Sequence, residues 1–167
     1  RRLPYLVEHM RSLPFEWNSK NQATLRFNQT VRPHLLISNA LMSNQNEIID
    51  EIFTHIKNNE LYLHYKLMKT DYLRWHIEVI HNLIITSVRT GNRLSLINYA
   101  HSLAVMRKKE GINSDEVCQV IMDIGDIVIN KLILSSELKR FEVYIQDTIS
   151  LSIQMMVDEI SDTYDLS

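Results

Sequence analysis

Seven histidines in a chain of 167 residues are the first groups that point to chemistry, because imidazole is a common metal ligand and proton carrier. Two of them, His76 and His81, share the stretch DYLRWHIEVIHNLIITSVRT. At about 100° per residue, a helix here carries a polar arc of Arg74, Glu78, Asn82 and Arg89, with the histidines on opposite flanks, about 140° apart. Two groups so placed do not converge on one ion. Glu78 and His81 form a Glu-x-x-His step, the spacing of carboxylate-bridged di-iron bundles. Such a centre needs a second step and two more glutamates on facing helices, and the sequence offers no matching set. Arg74 is the natural i,i+4 partner of Glu78, and packed histidines are the expected outcome.

Covalent catalysis finds less support. No G-x-S-x-G turn, P-loop or dinucleotide-binding glycine pattern occurs, and the three glycines are scattered singly. The one cysteine, Cys118, excludes an internal disulfide and a multi-cysteine zinc site. Its neighbours in DEVCQVIMDI are largely apolar, which places it in a core. The chain is not expected to be an enzyme.

The most informative group is Arg107, in AVMRKKEGINSDEV (residues 104–117). Leu96, Tyr99, Ala100, Leu103, Ala104 and Met106 project to one broad apolar face, and Arg107 falls near its centre, while Lys108 and Lys109 fall away from it. A guanidinium on the buried side of a helix is costly unless paired. One reading is a structural ion pair, with Asp123 or Asp126 on the next helix as partner, or a stem that snorkels at the helix end. The other is that Arg107 holds an anionic ligand or transmits a packing change. His101 lies at the edge of the same face. Arg107, His101, Tyr99, His81 and His76 are the candidate ligand-binding residues.

Elements that position these groups follow from composition. With 45% hydrophobic and 23% charged residues and a formal net charge of −2, the chain reads as one globular domain over residues 1–167, and not as a general nucleic-acid binder. The N-terminal third is basic (Arg1, Arg2, Arg11, Lys20, Arg26, Arg32). The last twenty or so residues hold Asp147, Asp158, Glu159, Asp162 and Asp165 without a lysine or arginine, a solvated acidic face. No run of about 18 apolar residues is present, so no membrane span is expected and the protein is placed in the cytoplasm. A start at RRLP, without methionine, fits a domain excised from a longer protein.

Glycine and proline number three each, and no Asn-Gly or Asp-Gly hairpin signal appears. That composition predicts helices. Pro14 separates a short opening helix from one over about 20–43, which Pro33 kinks or splits. Ser43 is the expected N-cap of NEIIDEIFTHIKNN. ELYLHYKLM alternates and admits a strand, although no partner strand is visible, so helix or turn is preferred. Asp71 caps the next helix and Gly91 stops it; Asn92 restarts a helix that Gly111 stops near Glu110. Asn113 with Glu116 resembles a capping box for a helix to about Leu134. Phe141, Ile145, Ile149, Ile153, Met156 and Ile160 then stripe a long C-terminal helix. The expected fold is all-α, with six to seven helices.

The run LAVMRKKEGINSDEV, preceded by TGNRLSLINYAHS, resembles a pattern in helical sensor domains of bacterial signalling proteins. These are the N-terminal domains of stressosome co-antagonists (the RsbR type) and related haem-less globin-like sensors. In that pattern a helix ends in an arginine, three variable residues, a glycine and an apolar residue. A small polar cap and an acidic pair then open the next helix; here these are Arg107, Gly111, Ile112, Asn113 or Ser114, and Asp115–Glu116. The match covers about residues 84–134. The resemblance implies a globin-like domain, homodimeric through terminal helices, that regulates an output signalling module in stress response. It implies no haem, and a small apolar or fatty-acid-like ligand in the pocket haem would occupy. The competing expectations are a haem or metal protein, with His101 where a proximal ligand could sit, and an interaction module without a ligand.

Overall fold

The structure, a computed structural model, describes residues 32–166. Expectations about Pro14, and about the helix over residues 20–31, lie outside the described residues. Every residue of the site described below lies in one compact unit, His34–Ser167.

Among the described residues the fold is all-α, with six α-helices, and the last is the longest. They are α1 (Pro33–Ser43), α2 (Gln45–Asn58), α3 (Thr70–Thr90), α4 (Leu94–Lys109), α5 (Ser114–Ile133) and α6 (Glu142–Leu166). Single 3₁₀ turns at Tyr65–Leu67 and Lys139–Phe141 precede α3 and α6. Pro33 is the first residue of α1, the position where its fixed φ and missing N–H cost nothing. It starts a helix and does not kink one.

Helix ends depart from the expected caps in instructive ways. Ser43 does not cap α2; its hydroxyl donates to the Asn39 carbonyl one turn back, and Asn44 takes the cap position without a capping bond, its side-chain amide donating back to the Ala40 carbonyl. Asp71 lies inside the first turn of α3, which opens at Thr70. Asn113 precedes α5 as expected but makes no side-chain cap bond. Glu116 is drawn away from the capping role by the neighbouring loop. Its carboxylate accepts from the His64 and Tyr65 backbone N–H groups at 2.8 and 3.0 Å, and pairs with the His64 ring at 2.8 Å.

The two glycine stops are as expected. Gly91 has φ +72 and Gly111 φ +76, left-handed values that side chains with a Cβ rarely adopt. At the second, the Ile112 N–H donates to the Arg107 carbonyl (3.0 Å) and the Gly111 N–H to the Lys108 carbonyl (3.1 Å). These two bonds define a Schellman motif, and buried Ile112 supplies its apolar contact.

The core is rich in isoleucine. Ile48, Ile49, Ile52 and Ile56 of α2 pack with Leu73, Ile77, Ile80 and Ile84 of α3 and with Val117, Ile121, Ile124 and Val128 of α5. Helix α6 packs most extensively on α5 and α4. Its stripe of Ile145, Ile149, Ile153, Met156 and Ile160 is buried in that contact, so it is core of this chain and is not a free seam. Asp147, Asp158, Asp162 and Asp165 lie exposed on its other face. Between α2 and α3 the alternating pattern is turned inside out. Tyr62 and Tyr65 are buried while Leu61, Leu63 and Leu67 face solvent, and the segment is turn and 3₁₀ helix, not strand.

Candidate functional site

Arg107 continues the buried stripe of α4, after Leu96, Ala100, Leu103 and Ala104. Its side chain is fully buried (0%). The groups that receive it come from three places in the chain. Its Nε–H donates to the Tyr65 hydroxyl (3.1 Å) on the 3₁₀ turn. Its Nη1 donates to the Tyr72 hydroxyl (3.0 Å) on α3 and to Glu110 Oε2 (2.9 Å) at the end of its own helix. The Tyr65 and Tyr72 rings also lie 5.2 and 5.4 Å from the guanidinium carbon, within cation–π range.

The carboxylate that meets Arg107 is therefore Glu110, three residues along the same helix, and neither Asp123 nor Asp126. Asp123 is already occupied by the Tyr62 hydroxyl, His55 Nε2 and Gln119 Nε2. The spacing of Arg107 and Glu110 could have shown this pairing, since i and i+3 share a helix face. Tyr65 and Tyr72 left no such trace, because folding alone brings their elements to α4. Tyr65 is itself placed by the Glu116 carboxylate, which holds the turn through two backbone N–H groups.

His76, one turn beyond Tyr72 on α3, reaches the same region. Its ring lies edge-on to Tyr72 (centroids 4.5 Å apart) and Trp75 (4.9 Å), and its Nδ1 is 2.5 Å from the Tyr99 hydroxyl of α4. Burial first, and the Arg107 charge second, push its pKa down to about 4. The imidazole is neutral at pH 7. Burial likewise pushes the Tyr65 phenol up to about 12, against the opposing pull of Arg107. For Arg107, burial alone would weaken the charge, but Tyr65, Tyr72 and Glu110 outweigh it and hold the guanidinium above its ordinary pKa.

Two nitrogens of this cluster find no partner among the described residues. Arg107 Nη2 and His76 Nε2 are buried without a hydrogen bond, and both residues line one cavity of about 10 Å³. That is room for a single water-sized guest. Aside from Tyr65, the remaining wall is aliphatic, from Ile56, Leu73, Ile77 and Ile80 on one side to Leu103 and Ile121 on the other.

The structure thus brings Arg107, His76 and Tyr99 together and leaves the other two candidates apart. His81 is fully buried (0%), with Nε2 bonded to the Leu41 carbonyl of α1 at 3.0 Å and a pKa lowered by burial. His101 is exposed at the outer side of α4, with Nδ1 3.0 Å from Glu159 and 3.1 Å from the Thr163 hydroxyl of α6. Glu78 pairs with Arg74 at 3.8 Å, the i,i+4 contact expected from the sequence. Cys118 is buried. No three His, Cys, Asp or Glu side chains among the described residues are grouped to hold a metal ion, and no helix among them is long and apolar enough to cross a membrane. Comparison with protein-family models, with curated proteins and with solved structures finds no match to this chain.

Proposed function

We propose that this chain is the non-catalytic regulatory domain of a bacterial signalling protein, globin-like in kind, cytoplasmic and dimeric, which passes a packing change to an output module. The observation that carries this reading is the incomplete network around Arg107. A buried ionic cluster is weak support for stability, because apolar residues of similar volume often serve as well. One left with orphaned donors carries a further cost of about 1–3 kcal/mol for each. A fold that keeps such a cluster where α3, α4 and the 3₁₀ turn meet has a junction whose packing depends on what occupies it. A ligand shifts a domain only by binding one arrangement better than another, and this junction offers that difference. The guest is small: a fatty-acid-like chain enters only if the surrounding helices part.

Sedimentation and amide exchange test the proposal. The expected result is a dimer in which Arg107→Met changes exchange along α6 as well as around residue 107. A monomer whose exchange changes only next to the substitution would overturn it. A Soret band in the absorbance of the purified chain would replace it with the haem-protein alternative.

A further inference from the structure

The loop between α2 and α3 is bonded to its own frame and presents leucine to solvent. Tyr62 and Tyr65 turn inward, to Asp123 and to Arg107, while Leu61, Leu63 and Leu67 are 78%, 60% and 79% exposed. The Leu61 N–H donates to Asn59 Oδ1, and the Tyr62 N–H to the Asn59 carbonyl. Those of His64 and Tyr65 go to Glu116, and those of Lys66, Leu67 and Met68 to carbonyls within the loop. From α2, Lys57 Nζ donates to the Lys66 and Met68 carbonyls. A loop bonded in this way holds its three leucines out on a fixed frame.

What can meet such a surface follows from its size and polarity. A protein interface of ordinary size engages about 20–30 residues a side and carries about ten direct hydrogen bonds. Three leucines on one short loop fall well short of that area, and the backbone groups around them are already spent on the loop itself. A bilayer asks for neither shape nor directional bonds. It takes up apolar side chains at a protruding tip, and it tolerates the backbone beneath them where that backbone is bonded internally. Charge points the same way. Lys57 spends its donors on carbonyls and keeps its positive charge, and Lys69 is exposed. Of the nearby acids, Glu60 is paired with Lys66 at 2.6 Å. Asp71 lies in the first turn of α3, where the helix N-terminus offsets a negative charge. The excess left beside the leucines is positive, the sign that anionic headgroups attract.

We propose that the loop carrying Leu61, Leu63 and Leu67 is a peripheral membrane contact, its leucines entering the interface of an anionic bilayer while the lysines beside them meet the headgroups. This goes beyond the regulatory reading and needs neither the dimer nor the output module.

Vesicles of equal parts phosphatidylglycerol and phosphatidylcholine are the probe, pelleted with the whole chain and compared with vesicles of phosphatidylcholine alone. The chain should pellet with the anionic vesicles and bind the neutral ones more weakly. The double variant Leu61→Ser, Leu67→Ser should keep the thermal midpoint of the wild type, since both side chains are exposed, and should bind about tenfold more weakly or worse. Lys69→Glu should weaken binding to the anionic vesicles and leave that to the neutral ones unchanged. A wild type that stays in the supernatant with both vesicles overturns the proposal, as does a leucine variant that binds as tightly as wild type. Loss of a dimer in the leucine variant, with no vesicle binding by the wild type, would assign the loop instead to a contact between copies.

Discussion

At the scale of the residue, the difference between Arg107 and its neighbours in the same basic run is one of position. Lys109 is exposed, and a surface substitution there should change stability by no more than about 0.5 kcal/mol. Arg107→Ala removes the packed stem, leaves a hole among Leu103, Ile121 and the tyrosines, and strips the Tyr65 hydroxyl of its donor. A loss of about 3 kcal/mol is expected from urea denaturation. Arg107→Met should lose less, because it keeps apolar volume and the half-exposed Glu110 rehydrates. His76 provides a second test, through pH. Its folded pKa of about 4 lies below the ordinary 6.5 or so. Below pH 6.5 or so the unfolded chain takes up a proton that the folded chain refuses until about pH 4. The stability that neutral His76 contributes is therefore complete above that window and is lost as pH falls through it, by up to about 3 kcal/mol. The stability difference between wild type and His76→Gln should shift against the wild type from pH 7 to pH 4. A pH-independent difference would mean that the buried ring titrates normally.

At the scale of the element, close approach of two helices decides the next prediction. Gly125 lies in the middle of α5, where alanine would ordinarily be favoured by about 1 kcal/mol. A Cβ there would stand 2.6 Å from Cγ1 of Ile153 on α6, inside any tolerable contact, and Ile153 is buried and β-branched. Gly125→Ala should therefore destabilise by about 1–3 kcal/mol. In an Ile153→Ala background, which removes the obstructing atoms, the same change should be neutral or stabilising; thermal melts of the four chains in the cycle decide. The sequence reveals neither half of this pair, since a lone glycine in a helical pattern reads only as a weakness. What it does reveal is local. The two left-handed glycines, the start and stop of α4 and the stripe of α6 follow from residues within one turn of each other. The expectations that fail are those in which a side chain is claimed from far along the chain. Glu116 is taken by the loop at His64–Tyr65 and is not left to cap α5. Asp123 is taken by Tyr62 and His55 and is not left to pair with Arg107. The site divides in the same way: the face of Arg107 and the separation of His76 from His81 are helix arithmetic, whereas the tyrosines that hold Arg107 are a product of tertiary packing.

At the scale of the whole molecule, the C-terminal helix decides how this unit relates to anything attached to it. A connector that only transmits a signal would leave the core intact when cut. Helix α6 does not have that character, because Ile153, Met156 and Ile160, in the part that follows Ser150, are buried against the helices that carry the site. The same part supplies the Tyr164 hydroxyl, which donates to the Ile112 carbonyl at 2.8 Å just after the Schellman turn, and the Tyr164 carbonyl, which accepts from Lys108 at 2.7 Å. Burying three such side chains is worth about 1.5–3 kcal/mol each, a sum comparable with the whole stability of about 5–15 kcal/mol expected of one domain. A chain ending at Ser150 should therefore show no cooperative thermal transition by circular dichroism, although isolated helical signal persists. If it melts cooperatively near the midpoint of the full chain, the part of α6 that follows Ser150 lies outside the cooperative unit. In that event Arg107 is coupled to the end of the chain by a helix free to move, and not by a shared core.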